Sequence, residues 1–84
     1  MLFTYRDSYS NVALTFKGSK NHFWKFVIDQ AKQNAKPFAC QQFVNNHWQN
    51  IGTILPNATR VLRDEKGTHK YRWSIKTNRW VSIF

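Results

Sequence analysis

The sequence predicts an α+β fold in one small domain, with an N-terminal β-hairpin, two amphipathic helices, a short third helix and a C-terminal β-hairpin. Three observations lead to this prediction. The chain has 84 residues, a length typical of a single domain. Apolar and polar residues alternate near both ends, as in half-buried strands, whereas apolar residues in the middle recur at helical spacing. We therefore assign residues 1–18 to the first hairpin, 19–67 to a helical part and 68–84 to the last hairpin.

The N-terminal hairpin is predicted from two alternating segments, residues 2–6 and 12–17. Between them, residues 7–11 read Asp-Ser-Tyr-Ser-Asn. Asp, Ser and Asn side chains hydrogen-bond to their own backbone in turns, so this segment is expected to connect the two strands.

The first helix is predicted to begin after Gly18 with Ser19 as its N-cap, because a serine side chain accepts a hydrogen bond from an unpaired N–H of the first turn. The helix is expected to end at Asn34 or Ala35, because the residue before Pro37 is forced out of the helical region. Its apolar face consists of Phe23, Trp24, Phe26, Val27, Ile28 and Ala31.

A second helix is predicted to begin at Pro37 or Phe38 and to end at Gly52, a residue type favoured at helix C-termini. Apolar residues and one histidine recur there at intervals of three and four, which is typical of an amphipathic helix. These residues are Cys40, Phe43, Val44, His47, Trp48 and Ile51.

Residues 56–67 admit two interpretations. As a helix, the segment has Asn57 as its N-cap and Gly67 at its end, and Val61 and Leu62 share a face. As a strand, the segment places its apolar residues on both faces instead of gathering them on one. The caps and the better sorting favour the helix.

The C-terminal hairpin is predicted to turn at residues 76–79. That register pairs Ile75 with Trp80, Trp73 with Ser82 and Tyr71 with Phe84. One face of the hairpin is then almost wholly apolar, and the other is basic and exposed to solvent. The second face carries Arg72, Ser74, Lys76, Arg79, Val81 and Ile83.

Three helices followed by a hairpin resemble a winged helix-turn-helix domain over residues 22–84. The resemblance lies in the helix through Phe23, the break at Pro37, the helix through Phe43, the segment after Asn57 and the C-terminal wing. It implies that the third helix enters the major groove of DNA while the wing contacts the backbone. The binding residues implied in this way are Asn57, Thr59, Arg60, Arg63, Lys66, Lys70, Arg72, Lys76, Asn78 and Arg79.

The charge of the chain points to the same class of partner. Thirteen Lys and Arg residues against four Asp and Glu residues give a net charge of +9, which favours polyanions, and nucleic acids are the most abundant of these. Taken together with the resemblance, the charge predicts a regulatory protein that binds double-stranded DNA through the short basic helix and the wing hairpin, with DNA favoured over RNA.

Two alternatives and the oligomeric state stay open. One alternative is binding of unpaired RNA or DNA bases on exposed Tyr71, Trp73 or Trp80. The other is a small interaction module or inhibitor, of the kind that phages and mobile elements encode, bound to an acidic protein. A homodimer would form if the apolar face of the N-terminal hairpin were left uncovered.

No pattern of catalytic residues is evident. The three histidines, His22, His47 and His69, lack the spacing of metal ligands, and Cys40 lies on an apolar stripe where thiols are usually inert. We expect no enzymatic activity, no metal and no cofactor. No apolar run approaches the ~18 residues of a membrane span, and the first residues lack a signal peptide, so an intracellular, cytoplasmic protein is expected.

Overall fold

The computed structural model describes residues 1–83, which form one seven-stranded antiparallel sheet with a single helix against one of its faces. The strand order is β2-β1-β3-β4-β5-β6-β7, so that each strand from β3 onward pairs with the next one in the chain. The helix connects β2 to β3. The elements are β1 (Leu2–Asp7), β2 (Leu14–Lys17), α1 (Lys20–Asn34), β3 (Phe38–Val44), β4 (His47–Ile54), β5 (Thr59–Asp64), β6 (Gly67–Ser74) and β7 (Arg79–Ser82).

The N-terminal hairpin and the first helix are confirmed. β1 pairs with β2, and α1 begins after Ser19, whose hydroxyl accepts a hydrogen bond from the His22 N–H at 3.2 Å. The helix ends at Asn34, and Ala35 caps it in the left-handed conformation with φ 52°. Pro37 then separates the helix from β3, as its fixed backbone geometry requires.

The predicted second helix is wrong, because residues 38–54 form the β3–β4 hairpin. The two strands are joined by Asn45 and Asn46, whose φ angles are 51° and 65°. A two-residue hairpin turn of type I′ has positive φ at both central residues, and asparagine tolerates that conformation. The helical spacing of the apolar residues is therefore coincidental, and the Asn-Asn pair is the signal that decides the local structure.

The predicted third helix is also wrong, because residues 59–64 form β5 and pair with β6. Asn57 Oδ1 accepts a hydrogen bond from the Thr59 N–H at 3.0 Å, and Asp64 Oδ1 accepts one from the Lys66 N–H at 2.8 Å. The same side-chain-to-backbone bond caps helices and closes turns. Asn57 therefore looks like an N-cap in the sequence but closes the turn before β5.

The resemblance to a winged helix-turn-helix domain is overturned by these two corrections. The α+β prediction with two or three helices gives way to an antiparallel sheet covered by one helix. Neither a recognition helix nor a wing in the sense of that family is present in residues 1–83.

The C-terminal hairpin forms, but its register differs from the predicted one by two residues. Trp73 pairs with Trp80 and Tyr71 with Ser82, and residues 75–78 make the turn. A shift of two residues keeps the side chains of residues 71–74 and 79–82 on their predicted faces, because side chains alternate with a period of two. The predicted pairing of Ile75 with Trp80 is wrong, since Ile75 lies in the turn and is exposed. The predicted pairing of Tyr71 with Phe84 lies outside the described residues.

The core lies between the helix and the inner face of the sheet. The ring of Phe3 from β1 stacks on that of Phe23 from α1 at 4.3 Å, and Trp24 contacts Trp80 edge to face at 5.2 Å. Large aromatic side chains supply much of the apolar area that such a small domain can bury. The buried residues are Phe3, Phe23, Trp24, Val27, Ile28, Ala31, Phe38, Cys40, Ile51 and Ile54.

Within residues 1–83, no helix has the length and apolar character that crossing a bilayer demands.

Candidate functional site

The face of the sheet opposite the helix, which we call the open face, is strongly basic. The strand registers place Thr4 beside Gln41, Thr53 beside Val61, and Val61 beside Lys70, all on this side. Side chains two positions along each strand share the face with them. The exposed basic residues that project from it are Arg6, Lys17, Arg63, Lys70, Arg72 and Arg79.

None of the acidic residues of the described chain projects from the open face. Asp7 and Asp64 lie at strand ends and alternate onto the helix side, Glu65 lies in the β5–β6 turn, and Asp29 is on the helix. The basic residues of the open face therefore have no acidic neighbour on it to neutralise them. Charges of one sign on one face raise the local concentration of anions.

An open groove of about 760 Å³ runs over the middle of this face. Five polar or basic residues line it, together with Pro37, Leu55 and Val61. A smaller hollow of about 130 Å³, with Arg6 and Gln41 in its wall, lies beside it, and Asn50 lines both. The other polar side chains of the groove are Thr53, Arg63, Thr68 and Lys70.

Two aromatic side chains are exposed at one end of the open face. Phe43 and Trp48 pair across the β3–β4 hairpin, with ring centroids 5.1 Å apart and 41% of each residue accessible to solvent. By contrast, Tyr71, Trp73 and Trp80, which the sequence suggested for base stacking, lie half-buried on the helix side.

Arg60 lies on the other side of the sheet from Arg63, although both were predicted to contact DNA. The Arg60 guanidinium lies 4.6 Å from the ring centroid of Trp24, 5.4 Å from that of Tyr71 and 5.5 Å from that of Trp80. Its Nε donates a hydrogen bond to the Ile51 carbonyl at 2.8 Å. Burial lowers the pKa of Arg60 below its ordinary value, yet a guanidinium stays charged in proteins. Arg60 is thus a structural residue.

The structure brings five of the ten predicted binding residues together on the open face and places four more in loops. Asn57 lies before β5, Lys66 lies in the β5–β6 turn, and Lys76 and Asn78 lie in the β6–β7 turn. The five on the open face are Thr59, Arg63, Lys70, Arg72 and Arg79.

Sequence reasoning missed the polar groove residues Asn50, Thr53 and Thr68, and it also missed two basic and two aromatic residues of the site. Arg6 and Lys17 occupy the polar side of a hairpin that was correctly predicted, so its alternation already indicated where they point. Phe43 and Trp48 were assigned to the buried stripe of a helix that does not form. The Asn45-Asn46 turn signal would have placed them opposite each other.

The remaining titratable side chains of residues 1–83 include one buried thiol and one histidine–carboxylate pair. Burial raises the pKa of the Cys40 thiol to about 12, with the charge of Arg60 offsetting part of the rise, so the reactive thiolate is scarce. His69 Nε2 lies 3.1 Å from Asp64 Oδ1 at the β5–β6 turn. Of the residues that the structure covers, no three from His, Cys, Asp and Glu come close enough to hold a metal ion.

Comparison with models of known protein families finds no match, and neither curated protein sequences nor solved structures give one.

Proposed function

We propose that this protein binds nucleic acid across the open face of its sheet. The observation that carries the proposal is the set of six exposed basic side chains on a face from which no acidic side chain of residues 1–83 projects. Lys and Arg side chains neutralise phosphates and release bound counterions, which supplies most of the affinity of sequence-independent binding.

The shape of the face supports an extended polyanion rather than a small anion. Adjacent strands are about 4.8 Å apart, so the distance from Arg6 on β1 to Arg79 on β7 is on the order of 25 Å, enough for several successive phosphates. The groove lined by Asn50, Arg63 and Lys70 lies between them. The proposed role is binding rather than catalysis, in the cell interior where nucleic acids are found.

The test compares two triple variants that each remove three positive charges from a net charge of +9. The first, R63Q/K70Q/R72Q, changes only the open face. The matched control, K20Q/K25Q/K32Q, changes three exposed lysines of the helix on the opposite side. Fluorescence anisotropy would measure the binding of labelled single-stranded and double-stranded oligonucleotides over a series of salt concentrations.

We expect the open-face variant to lose about tenfold or more in affinity at low salt, and its log–log salt slope to become shallower by about two for single strands. The helix variant keeps the wild-type slope. Equal losses in the two variants would show that only net charge matters and would refute the proposed surface. Wild-type protein that binds poly-glutamate but no nucleic acid at low salt would instead favour the acidic-protein interpretation.

A further inference from the structure

We infer that the open face is built for single-stranded nucleic acid, with unpaired bases stacked on the exposed pair Phe43 and Trp48. This inference rests on the proposed function, because the basic groove supplies the phosphate contacts. It adds the class of nucleic acid that is bound, and it assigns a role in binding to two uncharged residues.

The first step concerns the position of the aromatic pair. The pairing of β1 with β3 runs to Gln42, and the pairing of β4 with β5 involves Thr53 and Ile54. Residues 43–50 therefore extend past the neighbouring strands as a two-stranded ribbon. Its aromatic side chains are accessible to a ligand lying on the open face.

The second step concerns exposure. The core is closed by other aromatic residues, and Phe43 and Trp48 contact each other without belonging to the buried cluster. Each of these two large aromatic residues stays 41% exposed, so a substantial part of both side chains is accessible to a ligand. Such side chains provide stacking platforms for bases, which is how many sheet surfaces bind single strands.

The third step concerns the neighbours of the pair. Gln41 and Asn50 lie opposite each other, two positions from Phe43 and Trp48 and on the same face. Asn50 Oδ1 accepts a hydrogen bond from the Gly52 N–H at 3.1 Å, and Gln41 Oε1 accepts one from the Thr4 hydroxyl at 3.5 Å. The amide nitrogens of both side chains are therefore the groups that can donate to the edges of unpaired bases. Asn50 also lines the groove that contains Arg63. A nucleic-acid strand with its bases stacked on Trp48 would thus place its phosphates near the basic residues of the open face.

Base pairing decides between the two forms of nucleic acid. In a duplex the bases are stacked on each other and paired, so their faces are not available to a side chain. The basic groove alone would bind both duplex and single-stranded nucleic acid. Stacking on the aromatic pair stabilises only the complex with a single strand, whose bases are free.

The experiment uses the full chain with two substitutions at one position. Trp48→Phe keeps an aromatic ring, whereas Trp48→Leu keeps an apolar side chain that still packs on Phe43 but cannot stack on a base. Circular dichroism and urea denaturation establish that both variants fold. Binding is measured to oligo-dT, to oligo-U and to a mixed-sequence duplex of the same length.

We expect Trp48→Leu to bind single strands about 5- to 150-fold more weakly, as is typical for the loss of one stacked base, and Trp48→Phe to recover most of this loss. Duplex binding and the salt slope stay at wild-type values in both variants, because stacking involves no phosphate. Single strands should also quench tryptophan fluorescence in the wild type, and the quenching should be smaller in Trp48→Phe.

Two results separate this inference from the proposed function. If Trp48→Leu binds single strands as the wild type does, or loses duplex binding equally, the stacking inference is overturned while the groove proposal stands. If the wild type binds neither form at low salt, both fail together.

Discussion

Replacing Arg60 by alanine should destabilise the fold strongly while leaving the open face intact. Arg60 and Arg63 are three positions apart, carry the same charge and belong to the same strand. The structure nevertheless places Arg60 against three aromatic rings and the Ile51 carbonyl, and Arg63 in solvent. The two substitutions Arg60→Ala and Arg63→Ala therefore make a matched pair.

The magnitude follows from the contacts that are lost. A partly desolvated cation–π contact is worth about 1–2 kcal/mol, and a hydrogen bond from a charged donor about 1.5–3 kcal/mol. The three rings share one guanidinium, so their contributions do not add fully. Arg60→Ala should therefore lower the free energy of unfolding by about 3 kcal/mol, a large part of the ~5–15 kcal/mol typical of a domain.

Urea denaturation followed by tryptophan fluorescence measures this free energy. Arg63→Ala should change it by less than about 0.5 kcal/mol, as is usual for an exposed substitution. Arg60→Lys should lose most of what alanine loses, because lysine keeps the charge but has neither the planar group nor the Nε donor. Oligonucleotide binding, measured on folded protein, should weaken in Arg63→Ala and stay unchanged in the Arg60 variants.

Two results would refute this reasoning. An Arg60→Ala protein as stable as the wild type would mean that the guanidinium does not hold the helix to the sheet. A folded Arg60→Ala protein with weakened binding would place Arg60 in the binding surface.

Three further predictions concern single residues. Gly52→Ala should cost about 1–3 kcal/mol in urea denaturation, because φ is 116° and the added Cβ would lie 3.1 Å from the Val61 carbonyl oxygen. The Cys40 thiol should not react with Ellman's reagent until the protein unfolds, since it is fully buried and its pKa is raised to about 12; rapid labelling of the native protein would contradict this. Asp64→Asn should lower the urea midpoint at neutral pH and leave it nearly unchanged at a pH below the lowered pKa of Asp64. The hydrogen bonds from Lys66 and His69 hold the pKa of Asp64 below its ordinary value, so the stabilisation by this carboxylate is present at neutral pH and is lost as the pH falls through that lowered pKa.

The parts of the fold that the sequence predicts correctly are those in which local signals agree. The first helix has a capping serine, a broad apolar face and a proline after its end, and nothing in the segment opposes it. In the C-terminal hairpin, alternation assigns the faces but leaves the register undetermined, because a shift of two residues keeps the same faces. The position of the turn, with Asn78 at φ 52°, fixes the register.

The parts of the fold that the sequence predicts wrongly are those in which the same residues fit both a helix and a strand. The spacing of Cys40, Phe43 and Trp48 suits a helix, whereas in the structure the burial of residues 38–44 alternates and the sheet buries Phe38 and Cys40 on one face. Ile51 is an extra residue in a β-bulge, because Gly52 pairs with Cys40 and Asn50 with Gln41. A bulge interrupts the alternation of side chains between the two faces, so a strand that contains one is not predicted from a period of two.

Several basic residues of the candidate site could be predicted from the sequence, but the face of the sheet on which they lie could not. Arg63, Lys70 and Arg72 were implied by a resemblance that proved wrong, but they remain candidates because their charge does not depend on whether the segment is helix or strand. The exclusion of Arg60 does depend on it, because residues three apart lie on similar sides of a helix and on opposite sides of a strand. Nothing in the sequence around Arg60 indicates that the helix covers the face of the sheet on which Arg60 lies.

The strand order also has a consequence for how the chain folds. From β3 to β7 every pairing joins consecutive strands, and such hairpins close short loops at little entropic cost. The pairing of β1 with β3 is different, since it spans the helix and brings together Thr4 and Gln41, 37 positions apart. We expect the five-stranded meander to form early and the β1–β2 hairpin to join it in the slower step that also encloses Phe3 and Phe23.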